Sequence, residues 1–214
     1  MISHHRHSKP VIGVVGGIGS GKSLAASIFV ELGCALIDAD AIGHALLEQP
    51  DIKDALRRLW GGDVFDTEGH ADRAAVGRIV FDDPKALAAL NGLLHPKMRQ
   101  RMKEQIADAM VDPAVAGVVI DAAVLFEAGW NDLCDCVVYI EAPVPLRLER
   151  VAAARGWDKS EVARRERLQI NLDKKRQMCD YIISNHASNS HLSEAIRLLF
   201  QRIVSTYDSG RSPQ

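Results

Sequence analysis

The chain has 214 residues, 47% hydrophobic and 25% charged, with a formal net charge of −2. That balance is ordinary for a globular protein and gives no general case for nucleic-acid binding. No apolar run approaches the ~20 residues that a membrane span needs, so the sequence offers no membrane partner. The length suggests one core domain with inserted subdomains.

The N-terminus, Met1 to Lys9, has no apolar h-region, so it does not read as a secretory signal. It reads as a mobile polar tail that carries His4, His5 and His7, rather than as a metal site. Val11-Ile12-Gly13-Val14-Val15 is an apolar run with the character of a buried strand. It leads into Gly16-Gly17-Ile18-Gly19-Ser20-Gly21-Lys22-Ser23, which has the spacing of a P-loop. The segment from Ser23 to Leu32 then has helical periodicity. Strand, glycine loop and helix are the context that phosphate binding requires. Glycines let the backbone approach an anion closely, and the loop and helix N–H groups present partial positive charge to it. Gly17 to Leu24 are therefore the candidate nucleotide-binding residues. Lys22 supplies a full charge to the phosphates, and the Ser23 hydroxyl is a candidate Mg2+ ligand.

Gly33 suits a helix C-cap, and Cys34 to Ile37 reads as a short buried strand. Asp38 and Asp40 then fall at its C-terminal end, where open α/β sheets bind ligands. The period of two along extended backbone turns both carboxylates to one side. One could accept the proton of an attacking hydroxyl while the other orients metal-bound water. Asp40 could instead be only the N-cap of a helix over 41–47. Cys34, Cys134, Cys136 and Cys179 lack zinc-site spacing and read as reduced thiols of a cytosolic protein.

Residues 50–112 read as mostly helical, with a polar loop at 66–73, a helix start at Asp83-Pro84, and an interruption at His95-Pro96. No strand signal appears there, so the stretch resembles a helical insertion suited to an acceptor, with Asp72, Arg73 and His95 as its polar candidates. Val115 to Ile120 is apolar and ends in Asp121, like a Walker B element that helps to hold Mg2+. Leu125-Phe126-Glu127 follows and is expected to pack against the site. Cys136 to Glu141 is a further strand. Residues 147–176 hold ten basic side chains against five acidic ones, a local charge of +5. Arginines that close over a transferring phosphoryl group would use that charge, and closure would keep ATP from water. The segment reads as two short helices with a hinge, a lid, the second helix starting at Asp158 and Glu161. A strand at 181–185 and a helix at about 190–206 complete the chain, followed by a polar tail.

Taken together, Gly16 to Ser23, Ile37-Asp38-Ala39-Asp40, Asp72-Arg73, Leu94-His95-Pro96, Leu125-Phe126-Glu127, Arg165 with Gln169, Lys175, Asp180 and Ile183-Ser184-Asn185 closely resemble the dephospho-CoA kinase family. The resemblance covers nearly the whole chain from Val11 to Phe200. It departs at Leu24, where the family commonly has threonine, and at Ala123-Val124, where a Pro-Leu pair is usual. It implies an α/β P-loop NTPase core with a parallel five-stranded sheet, a helical acceptor-binding insertion and a helical lid. The implied division is a core at 10–40, 115–146 and 180–207, a dephospho-CoA-binding domain at 41–114, a lid at 147–179, and flexible tails at 1–9 and 208–214. The implied activity is transfer of the ATP γ-phosphate, with Mg2+, to the ribose 3′-hydroxyl of dephospho-CoA. Asp40 would be the base near that hydroxyl, Lys22 would stabilise phosphate charge, and Arg155 and Arg147 would reach the phosphates from the lid. Asn185 would lie near the adenine. Asp38, Asp72, Arg73, His95, Leu125 and Glu127 would line the acceptor side, and Ser23 and Asp121 the metal. The alternatives are a P-loop kinase for a nucleoside monophosphate or sugar, and a GTPase switch. The second finds only Asp66-x-x-Gly69, in a polar loop, and no Asn-Lys-x-Asp motif. The oligomeric state is not legible.

Overall fold

The computed structural model describes residues 7–186 and 188–208, the side chains of Asp82 and Asp208 excepted. The tails expected at either end lie largely outside them. Among the described residues, β1 (Val11–Gly16), β2 (Cys34–Asp38), β3 (Gly117–Asp121), β4 (Cys136–Glu141) and β5 (Tyr181–Ser184) form one parallel sheet, in the order β2-β3-β1-β4-β5. All six residues of β1 are buried, as expected of a central parallel strand covered on both faces.

On one face lie α1 (Lys22–Glu31) and α9 (Asn189–Asp208). They share a core of Ile12, Val14, Ile28, Phe29, Val138, Ile196, Phe200 and Ile203. Phe29 and Phe200 meet edge to face, with ring centroids 6.0 Å apart. On the other face Gly13 has no room for a side chain: a Cβ there would stand 2.7 Å from Leu125 Cδ2 and 3.0 Å from Cys134 Sγ. Three further helices precede β5: α6 (Val144–Arg155), α7 (Lys159–Glu166) and α8 (Leu172–Gln177). The 147–176 stretch thus contains three helices where two were expected, because Asn171 caps a separate third one by accepting from the N–H groups of Asp173 and Lys174. Asp158 does cap α7 through the Glu161 N–H, but the Glu161 carboxylate pairs with Arg164 and Arg165.

The remaining helices are α2 (Ala39–Leu47), α3 (Pro50–Trp60), α4 (Arg73–Asp82) and α5 (Pro84–Val111). The chain divides into two compact units, Met1–Asp38 with Glu104–Gln214, and Ala39–Lys103. The second is entirely helical apart from its loops and buries Ile52, Leu56, Val64, Val80, Met98 and Met102. The interruption expected at His95-Pro96 does not occur, and α5 runs through Pro96. Proline removes the bond to the carbonyl four residues back, here that of Gly92. Gly92 and Pro96 are both exposed, so that carbonyl is open to water. Leu94, Met98 and Met102 are buried on the inner side and hold the helix. No described helix is long and apolar enough to cross a membrane.

A polar cluster ties the loop after α3 to α2 and α3. The Glu48 carboxylate accepts from Lys53 Nζ (2.7 Å), His70 Nδ1 (2.9 Å) and the Ala71 N–H (3.1 Å), and Lys53 Nζ also donates to the Gly69 carbonyl. The Lys53 bond first, then that from His70, pushes Glu48 down to about 2. The bond to Glu48 holds His70 above its ordinary value. A histidine with a raised folded pKa stabilises the fold fully below its unfolded value, and that contribution is lost as pH rises through the folded value. The stability loss in His70→Gln, read by thermal unfolding, should therefore be larger at about pH 5.5 than at about pH 8.5. Equal losses at both pH values would show that charge on His70 plays no part. In the sheet unit, Phe29→Ala empties a fully buried site and should cost about 3–5 kcal/mol in urea unfolding, a large share of a domain's usual stability.

Candidate functional site

The P-loop turns out of the C-terminal end of β1 into α1. Gly21 is the N-cap of α1, with φ of 95°, and provides no side-chain cap for the first-turn N–H groups. A Cβ at Gly21 would also collide with the Asn185 side-chain amide. The loop thus presents bare backbone without a side-chain cap, the arrangement that suits an anion. Lys22 Nζ folds back onto the carbonyls of Gly16 (3.2 Å) and Gly17 (3.0 Å). Asn185, buried at the end of β5, donates to the Ser20 carbonyl at 2.8 Å. Leu24, on the first turn of α1, is exposed.

At the other edge of the loop, Ser23 Oγ donates to Asp121 Oδ2 at 2.8 Å. Asp121 ends β3, and Asp38 is its register partner at the end of β2. A hydroxyl and a carboxylate are hard oxygen donors of the kind Mg2+ takes. No group of three or more His, Cys, Asp or Glu residues that could hold a metal alone occurs among the described residues. Mg2+ characteristically keeps few protein ligands and shares the rest with phosphates and water, so Ser23 and Asp121 fit it.

The helices after β4 reach the loop directly. Arg147 is almost fully buried, and its Nη1 donates to the Ile18 carbonyl (2.9 Å) and to Glu166 Oε1 (2.6 Å). The same Glu166 oxygen accepts the Ile18 N–H at 3.0 Å. Gly17 makes room for this, since a Cβ there would lie 2.5 Å from Arg147 Nη1. Glu166 therefore occupies, with a carboxylate, a backbone donor in a loop built for phosphate. Arg150 Nη2 donates weakly to Asn185 (3.3 and 3.4 Å), while its Nη1 is buried with no hydrogen-bond partner among the described residues. Arg155 is exposed and lies over the Trp157 ring at 4.8 Å, with Arg165 over the same ring at 3.9 Å. Leu125 is fully buried, and Glu127 is held by Lys175 (2.9 Å) and the Ile170 N–H (2.8 Å).

The other expected residues lie in the helical unit. Asp40 is exposed in the first turn of α2, which begins at Ala39, so it is inside the helix rather than its N-cap. Asp72 caps α4 through the N–H groups of Ala74 and Ala75, and Arg73 beside it is exposed. His95 is half-buried in α5, and burial lowers its pKa.

The family model for dephospho-CoA kinase (CoaE) matches residues 10–191. The chain belongs to the dephospho-CoA kinase family. It is 35% identical over 195 residues to the dephospho-CoA kinase of Corynebacterium diphtheriae, covering 91% of this chain and 97% of that one. Among solved structures, TT1252 from Thermus thermophilus superposes with a TM-score of 0.77 at 31% identity, covering 92% and 98% of the two chains. Dephospho-CoA kinase from Campylobacter jejuni superposes with a TM-score of 0.67 at 26% identity, with the same coverage. Membership makes the chain an ATP-using kinase of the final step of coenzyme A biosynthesis.

Arg150, Glu166 and the role of Lys175 were not singled out by sequence. Each sat in the basic 147–176 run, and only their partners distinguish them. Replacing Glu166 with glutamine keeps an acceptor for the Ile18 N–H but removes a negative charge beside the phosphate site and leaves Arg147 in need of an anion. Glu166→Gln should bind Mg-ATP about 5- to 10-fold more tightly by titration calorimetry, a gain of order 1 kcal/mol. Unchanged or weaker binding would instead make Glu166 a support of the competent loop.

Proposed function

We propose that the residues at the C-terminal edge of the sheet transfer the γ-phosphoryl group of ATP to the ribose 3′-hydroxyl of dephospho-CoA, with Mg2+, in the cytoplasm. The observation that carries this reading is the hydrogen bond from Ser23 to Asp121 beside an uncapped α1 N-terminus. It sets a metal-type oxygen pair next to a helix start that has no side-chain cap. The N–H groups from Gly17 to Leu24 receive the phosphates, and Lys22 exchanges its loop carbonyls for phosphate oxygens. Ser23 and Asp121 would hold Mg2+, which when bound would offset charge on the phosphate oxygens.

Asp40 takes the proton of the 3′-hydroxyl as the oxygen attacks phosphorus, and ADP leaves. Support for this role is that Asp40 is exposed and follows Asp38, the register partner of Asp121, by two residues. Arg147, released from Glu166, and Arg155 with Arg150 supply positive charge as the bridging bond breaks. Asn185 sits by the loop on the adenine side. Asp72, Arg73 and His95 belong to the helical segment, which we assign to the acceptor. The 147–179 segment acts as the lid that keeps water from the γ-phosphate.

The direct test is product analysis with Mg-ATP and dephospho-CoA, with nucleoside monophosphates and sugars as rival acceptors. Coenzyme A and ADP should form in equal amounts, and phosphorylation of a rival alone would overturn the reading. Asp40→Asn should leave ATP binding nearly intact and lower turnover by at least ~100-fold, as expected for loss of a general base. Near-normal turnover in that variant would leave Asp40 only a helix-start role.

A further inference from the structure

The most deeply buried charge in the sheet unit is Lys175, on α8, which has no exposed surface. Its Nζ has three acceptors for its three protons: the Ala123 carbonyl (2.9 Å), Glu127 Oε1 (2.9 Å) and Gln169 Oε1 (3.1 Å). Glu127 Oε1 also accepts the Ile170 N–H at 2.8 Å. One ammonium and one carboxylate thus join two segments that are far apart in sequence. The first is the loop after β3, in which Ala123 lies two residues beyond Asp121. The second is the turn between α7 and α8.

Both segments end on the P-loop. Asp121 accepts from Ser23 at one edge. Glu166, three residues before Gln169, accepts from Ile18 at the other. Leu172, one turn before Lys175, packs over Gly17, where a Cβ would lie 3.1 Å from its Cδ1. A shift of the Lys175 ammonium would therefore be passed to the loop from two sides.

Stability alone does not account for the pair. Removing two charges from water is costly, and well-packed neutral replacements of buried pairs are often as stable or more so. What a neutral replacement lacks is direction: an ammonium with three fixed acceptors specifies where each of them sits. We propose that Lys175 and Glu127 are a positioning pair for phosphoryl transfer, with Gln169 as their third member. They hold the loop after Asp121 and the foot of the 159–175 segment in the one relation that places both edges of the P-loop. Neither residue touches the reacting atoms in this role. The inference rests on the kinase reading above.

The test compares wild-type enzyme with Lys175→Met/Glu127→Gln, which neutralises both charges and keeps an acceptor for the Ile170 N–H. Gln169→Leu, which leaves the ion pair intact, is the second variant. The double variant should unfold within about 5 °C of wild type and keep KM for ATP within about 3-fold. Its kcat should fall about 100-fold, as a misplacement of about 1 Å can produce. Gln169→Leu should lower kcat about 10-fold with KM unchanged. Hydrogen exchange at residues 166–175 should quicken in both variants, and at residues 122–128 in the double variant, with the strands of the sheet unchanged. A wild-type kcat per folded molecule in either variant would overturn the inference. So would a loss that only follows the unfolded fraction. A wild-type enzyme that fails to phosphorylate dephospho-CoA would refute the kinase reading instead, and the wild-type control separates the two.

Discussion

The sheet unit is built around a glycine loop at the end of its central strand whose helix start has no side-chain cap. A helix start normally satisfies its donors with a side-chain cap. Here Gly21 provides none, and the glycines before it remove the side chains that would fill the space. The surrounding residues are arranged around that gap. Lys22 turns back to the loop carbonyls, Asn185 fastens Ser20, and Glu166 lends an oxygen to Ile18. Each contact is of the kind that a polyanion would displace or reinforce.

Charge burial divides into two uses. Arg147 and Glu166 form a pair on the loop itself, where an incoming phosphate would compete with the carboxylate for both partners. Lys175 and Glu127 form a pair behind the loop, where no phosphate competes and the ammonium has three protein acceptors. The first pair is suited to open when the substrate arrives. The second is suited to remain closed and to keep the framework in register. The local charge of the 147–176 run says nothing of this difference, because both lysine and arginine count there only as +1.

The helical unit shows the weight of tertiary packing over local preference. Pro96 argues for a break, yet α5 continues because Leu94, Met98 and Met102 gain more from burial than one solvent-facing bond costs. The Glu48, Lys53 and His70 cluster adds a polar tie to the loop after α3, which buries only Val64 and Ala71 as apolar anchors.

Sequence alone was enough for the strand, loop and helix of the nucleotide site, for the strands and their parallel arrangement, and for the family. The loop and strands rest on local spacing (apolar runs of strand length, glycines at fixed intervals, acids at strand ends), and the parallel arrangement of the sheet was what the family resemblance implied. The partners of the buried charges were decided only by the tertiary structure. Lys175 carried the family resemblance but had no assigned role until the fold placed Ala123, Glu127 and Gln169 around it. Glu166 looked like a minor acid among arginines until it met Ile18. The physical reason is that a charged side chain's role is set by what surrounds it at hydrogen-bond distance, and those neighbours lie as many as 148 residues away along the chain. The glycine loop was legible from sequence because its form resides in its own backbone.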